Sequence, residues 1–150
     1  CASGVAEARP SLRFGTVEAG IGWVPWALDA MDEAYLKHHM FVRPKLELLP
    51  SEYYRRQGFS TFQEDRSGLG LAREHDLINN FMWANDYPHH EGSWPHSAQA
   101  IERTMGHLTD AERADILGLN AARIFKFPIP ERYLNHDDAA VAARTSATRS

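Results

Sequence analysis

The residues able to do chemistry crowd into one stretch of this 150-residue chain, NNFMWANDYPHHEGSWPHS at 79–97. A short apolar run ends at Asp86, and His89, His90, Glu91 and His96 follow within one loop's reach. A carboxylate beside imidazoles can hold a divalent metal or move a proton. The competing reading is that Asp86 caps a turn, since Asp before Tyr-Pro is ordinary turn chemistry, and that the histidines are solvated. His89-His90-Glu91 is not the helical His-Glu-x-x-His zinc motif, which needs both histidines on one helical face.

Stepping outward from Asp86, residues 80–84 (NFMWA) read as a buried strand. Two others precede it, at 12–18 (LRFGTVE) and 59–63 (FSTFQ), rich in β-favouring residues. A helix is expected from about Val24, with Pro25 in its first turn and Val24, Leu28, Met31 and Tyr35 as its buried stripe. His38, His39 and Pro44 end it. Ser51 is expected to cap a short helix through Arg56. Asp65, Ser67, Gly68 and Gly70 read as a turn before a short helix at 71–77. Ser97 opens a helix to Met105 that Gly106 stops. Thr109 and Glu112 form a capping box for the next, which Gly118 ends. Asn120 is expected to cap a last helix through Phe125, stopped by Pro128. Strands alternating with helices imply parallel pairing through helical crossovers. In such sheets ligands gather at the C-terminal strand ends, where Asp86 falls.

Composition narrows the function classes. Hydrophobic residues are 43% and charged residues 24%, as in globular proteins. A net charge of −4 without a basic run argues against a nucleic-acid surface. No apolar run approaches the roughly 20 residues of a membrane span. Gly20-Ile21-Gly22 lacks the third glycine of a dinucleotide fingerprint. The one cysteine excludes an internal disulfide and makes a reducing, cytoplasmic setting the default. It is Cys1; a start inside a gene or after processing is the plain reading, and a mature lipoprotein the sharper one.

Taken in order, VEAGIGWVPWALDAMDEAY, SEYYRRQGFSTFQED, NNFMWANDYPHHEGSWPHS and ILGLNAARIFKF closely resemble the C-terminal part of the amidohydrolase-related family. The resemblance spans 12–127. These relatives are metal-dependent hydrolases and non-oxidative decarboxylases, including aminocarboxymuconate-semialdehyde decarboxylase. The resemblance implies an α/β fold, about three β/α units from the C-terminal portion of a TIM (β/α)8 barrel, with the strands here as six, seven and eight. The expected divisions are an N-terminal loop at 1–10, a partial barrel at 11–127 and a disordered or frayed tail at 128–150. In the family, the aspartate closing strand eight ligates or faces the catalytic metal and hydrogen-bonds the attacking water; Asp86 matches it. Many relatives carry a histidine at the end of strand six, followed by glycines. This chain has Glu18-Ala19-Gly20, so Glu18 is expected to serve as a base or support group, or as a carboxylate paired with an arginine. His89 follows the family's Asp-Tyr-Pro-His block and is expected to orient substrate or Asp86.

The implied cofactor is one divalent metal ion, zinc first and manganese second, and the partner is a small-molecule substrate, a carboxylate or ring compound. A homo-oligomeric parent is the further expectation. Arg55 and Arg56 are weaker candidates for a substrate carboxylate, and Gln63 for reaching the pocket. Glu64 and Asp65 are expected to start a turn, and Trp23, Trp26, Trp83 and Trp94 to pack. The family's His-x-His pair and strand-five histidine are absent, and a full barrel needs about 250 residues. The chain by itself is therefore expected to be an incomplete piece that neither holds a metal tightly nor turns over substrate. A non-catalytic binding protein that keeps a half-barrel is the alternative class.

Overall fold

Three short strands with no hairpin between them can share a sheet only if helices carry the chain back each time, and this is the arrangement found. The computed structural model describes residues 1–38, 41 and 45–130. Its elements run α1 (Val5–Ala8), β1 (Phe14–Thr16), α2 (Trp23–His38), α3 (Pro50–Gln57), β2 (Gly58–Phe62), α4 (Arg66–Ala72), β3 (Phe81–Trp83), α5 (Ser97–Met105), α6 (Asp110–Ala114) and α7 (Asn120–Phe125). The strands form one parallel sheet in the order β1-β2-β3, with Gly15 beside Phe59 and Thr61 beside Met82. The fold is thus mixed α/β around a small parallel sheet.

Burial alternates along β2, with Gly58, Ser60 and Phe62 buried and Phe59 and Thr61 half-buried. The buried side meets the helices. There Ile21, Val24, Leu28, Tyr54, Phe62, Leu69, Leu77, Phe81, Met105 and Ile116 form the main core. Each fully buried large side chain stabilises by about 1.5–3 kcal/mol. Val24 and Leu28 lie in this core as the helical stripe requires, and Met31 packs against it. Tyr35 instead joins a smaller cluster around Ala6, Leu46 and Tyr53.

Several polar groups inside tie the elements together. The Ser60 hydroxyl lies 2.6 Å from Thr16 Oγ1 and 2.7 Å from the Tyr54 hydroxyl, linking β1, β2 and α3. Burial pushes the Tyr54 phenol up to about 12. The Asn80 amide donates to the carbonyls of Tyr54, Arg55 and Gly58, so the turn before β3 is fastened to the end of α3.

Several boundaries differ from the sequence expectations. Residues 1–10 are not all loop, because Val5–Ala8 closes one helical turn. Ser51 lies inside α3, where its hydroxyl accepts from Arg55; the Glu52 carboxylate caps the helix by accepting from Leu49 N. Gly68 and Gly70 belong to α4 rather than to a turn. Asp65 starts that helix by accepting from Gly68 N, and a Cβ on Gly68 would fall 2.4 Å from Ile21 Cγ1. The glycine is needed for close packing, not for bending. Gly118 does not end a helix, since a π-helical stretch, Asp115–Leu119, joins α6 to α7. Asn120 is likewise not a cap: it is buried, and its amide donates to Ile78 O and Phe81 O. The Thr109–Glu112 capping box and the Gly106 stop occur as expected. His39, Pro44 and the tail from 131 lie outside the described residues. No helix among the described residues is long and apolar enough to cross a membrane.

Candidate metal centre

All three strands point their C-terminal ends the same way, so the residues that follow them share one rim of the sheet. After β1 the chain turns sharply. Glu18 takes φ 58° and Gly20 φ 65°, both left-handed. Glu18 N donates to Thr61 Oγ1 on β2 at 3.1 Å. Asp65 then gathers the turn: Oδ2 accepts from Ile21 N at 2.7 Å and Gly22 N at 2.6 Å, while Oδ1 accepts from Gly68 N at 2.9 Å. One carboxylate therefore ties the start of α2 to the start of α4.

After β3, Ala84 N donates to Phe62 O and the ladder stops. Asn85 Oδ1 accepts from Tyr87 N, and Asp86 adopts φ 59°. A left-handed non-glycine residue stores strain of order 1 kcal/mol, and such residues cluster at functional sites. His89 N returns to Asp86 O at 2.9 Å, closing a turn. Its ring follows, with Nδ1 2.9 Å from Asp86 Oδ1. The hydrogen bond to Asp86, and then that group's charge, raises the His89 pKa above its ordinary value. Asp86 thus does shape a turn, as the plain sequence reading held, and its carboxylate still faces the imidazole.

Glu18, Asp86 and His89 converge: one ligand atom from each lies within 4.8 Å of the others. Glu18 is exposed and pairs with no arginine among the described residues, unlike the buried ion pair that was the alternative for it. All three line a cavity of about 530 Å³ with Thr61, Gln63, Glu64, Asp65 and Glu91. Two carboxylates and an imidazole are a donor set suited to a divalent transition ion. Donors on one zinc-sized ion stand up to about 4 Å apart, against the 4.8 Å within which these three lie.

The other candidates fall elsewhere. His90 pairs with its neighbour Glu91 and is fully solvated. Arg55 donates to His75 O and Ser51, and Arg56 to Ala6 O and Gln57; both fasten α3 rather than face the rim. Glu64 pairs with Arg103. Trp83 Nε1 donates to Gln63 O, Trp23 Nε1 to Ala19 O, and Trp94 stacks edge-on against Tyr87. Trp26 is exposed. Sequence reasoning missed Asp65, whose partners lie 43 and 44 residues away. Its one local signal was an aspartate three residues before a glycine.

A parallel sheet that gathers two carboxylates and an imidazole beyond its C-terminal strand ends places candidate ligands where α/β folds commonly bind them. The sequence model of the amidohydrolase family matches residues 1–127, and the chain belongs to that family. Among solved structures, 5-carboxyvanillate decarboxylase from Sphingomonas paucimobilis is 30% identical, with a TM-score of 0.69, over 85% of this chain and 37% of its own. A dihydroxybenzoic acid decarboxylase from Polaromonas sp. JS666, with bound manganese and the inhibitor 2-nitroresorcinol, is 19% identical with a TM-score of 0.63, over 89% of this chain and 40% of its own. The 2,6-dihydroxybenzoate decarboxylase from Rhizobium is 18% identical with a TM-score of 0.63, over 82% and 37%. The latter two likenesses speak to the fold alone. The chain thus spans about two-fifths of the length of these structures. No match was found among curated proteins.

Proposed function

We propose that this chain forms the C-terminal arc of a (β/α)8 barrel and supplies one side of a metal-dependent active site that decarboxylates an aromatic carboxylate without oxidation. The observation that carries the reading is the convergence of Glu18, Asp86 and His89 within 4.8 Å on the rim where such barrels work. Decarboxylation is favoured over hydrolysis because the structure that is 30% identical is a 5-carboxyvanillate decarboxylase.

Asp86 is the metal ligand in this reading, with Glu18 as the neighbouring donor and His89 held beside Asp86, for zinc or manganese. A divalent ion bound there would anchor and polarise a carboxylate or carbonyl oxygen. The chain's own residues do the rest. The cavity wall holds Glu18, Glu64, Asp65, Asp86 and Glu91, a strongly anionic lining that admits an anionic substrate only beside a cation. Breaking the ring–carboxylate bond releases CO2 and leaves a ring carbon that must take a proton. His89, exposed at the mouth, is the proton carrier on that cavity. His89 meets Asp86 through Nδ1, which leaves Nε2 to exchange the proton.

The chain by itself holds the ion loosely and does not turn over in this reading, since it brings few donors, Glu18 is exposed and both Glu18 and Asp86 stand on loops. The whole protein acts on a small molecule, in the cytoplasm, as a homo-oligomer. The test is manganese titration followed by electron paramagnetic resonance, with CO2 release from 5-carboxyvanillate and 2,6-dihydroxybenzoate measured on the whole protein. Asp86→Ala should weaken manganese at least tenfold and abolish release. Equal manganese affinity and equal rates in the variant would remove Asp86 from the site.

A further inference from the structure

Beside the metal cluster stands a side chain with an unmet demand. Gln63 follows β2 directly, and its carbonyl is fastened by Trp83 Nε1 at 2.9 Å. Its Oε1 is buried yet has no hydrogen-bond partner among the described residues. Buried acceptors are nearly always matched, and an exception calls for an explanation. The Gln63 residue lines both the 530 Å³ cavity with Glu18, Asp86 and His89 and a second cavity of about 360 Å³ with Trp94 and His96.

The hydrogen-bonded donors nearby serve other acceptors: the Trp83 indole the Gln63 backbone, Arg103 the Glu64 carboxylate, and His89 Nδ1 meets Asp86. Glu18, Glu64, Asp86 and Glu91 on the same wall are carboxylates, which accept rather than donate. An occupant that satisfies Gln63 must therefore bring its own O–H or N–H.

We propose that Gln63 is a specificity-determining residue whose amide oxygen accepts a hydrogen bond from a ring hydroxyl of the bound aromatic carboxylate. This rests on the site reading above and adds the substrate feature it selects: a phenolic O–H in addition to the carboxylate. A site built around a hydroxyl rejects the analogue lacking it, because its acceptor then stays buried and unpaired. It also means the free protein carries an unfavourable group that is relieved only on binding.

The test uses Gln63→Leu and Gln63→Met, both close in volume and without the amide. Three readouts are taken on the whole protein: melting temperature without ligand, manganese binding, and calorimetric binding of 2,6-dihydroxybenzoate and of benzoate to the manganese-loaded form. Both variants should melt about 3 °C higher and bind manganese like the wild type. They should bind 2,6-dihydroxybenzoate about tenfold more weakly, with benzoate unchanged. Melting that falls instead would make the amide structural and overturn the assignment. So would equal losses for both probes, or a wild-type protein indifferent to the two hydroxyls. Failure of the wild type to bind manganese would count against the metal site itself, and the melting arm would then decide for Gln63.

Discussion

Replacing Asp65 with Ala tests whether one carboxylate sets the position of the site. Its two oxygens accept from three backbone N–H groups, those of Ile21, Gly22 and Gly68, at 2.6–2.9 Å. The Gly68 bond is a helix cap, worth about 1 kcal/mol. Each of the other two is a bond to a charged group, about 1.5–3 kcal/mol in isolation. They share one acceptor and one rigid turn, so their losses do not add, and a total of about 3–4 kcal/mol is expected. Against a domain stability of about 5–15 kcal/mol this is severe. For a chain of this size it lowers the melting temperature by about 10 °C. Asp65→Asn keeps one acceptor and should lose about half as much. Calorimetric or urea unfolding supplies the numbers. Manganese titration follows the second consequence, because Glu18 is three residues before Ile21 and shares its turn. A loss below about 1 kcal/mol would refute the account of the turn. A full loss of stability with unchanged manganese affinity would break the link between the turn and the site.

Glu18→Gly removes the left-handed strain at φ 58° along with a donor. It should melt a few degrees higher, by roughly 1 kcal/mol of relief, while binding manganese more weakly; a rise in neither melting temperature nor dissociation constant would count against both roles. Asn120→Ala frees the carbonyls of Ile78 and Phe81 and should cost about 2–3 kcal/mol in urea unfolding; a cost near zero would mean that water replaces the amide. The hydrogen bond from Arg73, helped by Thr109, holds the Glu112 carboxyl at about 2, below its ordinary 4.5. Its folded pKa is depressed, so its contribution is complete above pH 4.5 and fades as pH falls towards about 2. Glu112→Gln should remove about 1 kcal/mol at neutral pH and flatten stability between those limits; an acid limb identical to wild type would refute the pairing.

Local signals were readable in the chain. The Thr109–Glu112 box, the Gly106 stop and the α2 stripe each depend on residues within a few positions, and they appear where spacing puts them. Asn120 and Gly118 were misread because Asn and Gly at a helix boundary serve both caps and interiors. Only the position of β3 shows that Asn120 turns inward to hold it. Asp65 looked like the start of a turn because two of its partners lie across the crossover from β1 to β2. The meeting of Glu18 with Asp86 followed from strand-end logic once the sheet was parallel. The 2.9 Å contact between Asp86 and His89 spans only three residues, but it depends on the left-handed Asp86 backbone, which an aspartate does not announce. The orphaned Gln63 oxygen had no sequence signal at all, since it is defined by what surrounds it.

Glu18, Gln63 and Asp86 all sit just beyond the last ladder pairing of their strands, at Thr16, Phe62 and Trp83. The side chains that would meet a ligand are therefore separate from the backbone bonds that hold the sheet. Mutational drift at these positions can explore new ligands at little risk to folding, while the residues inside the ladders stay under the stricter demands of packing. Glu18 and Gln63 can therefore be exchanged without breaking a ladder bond of the sheet behind them.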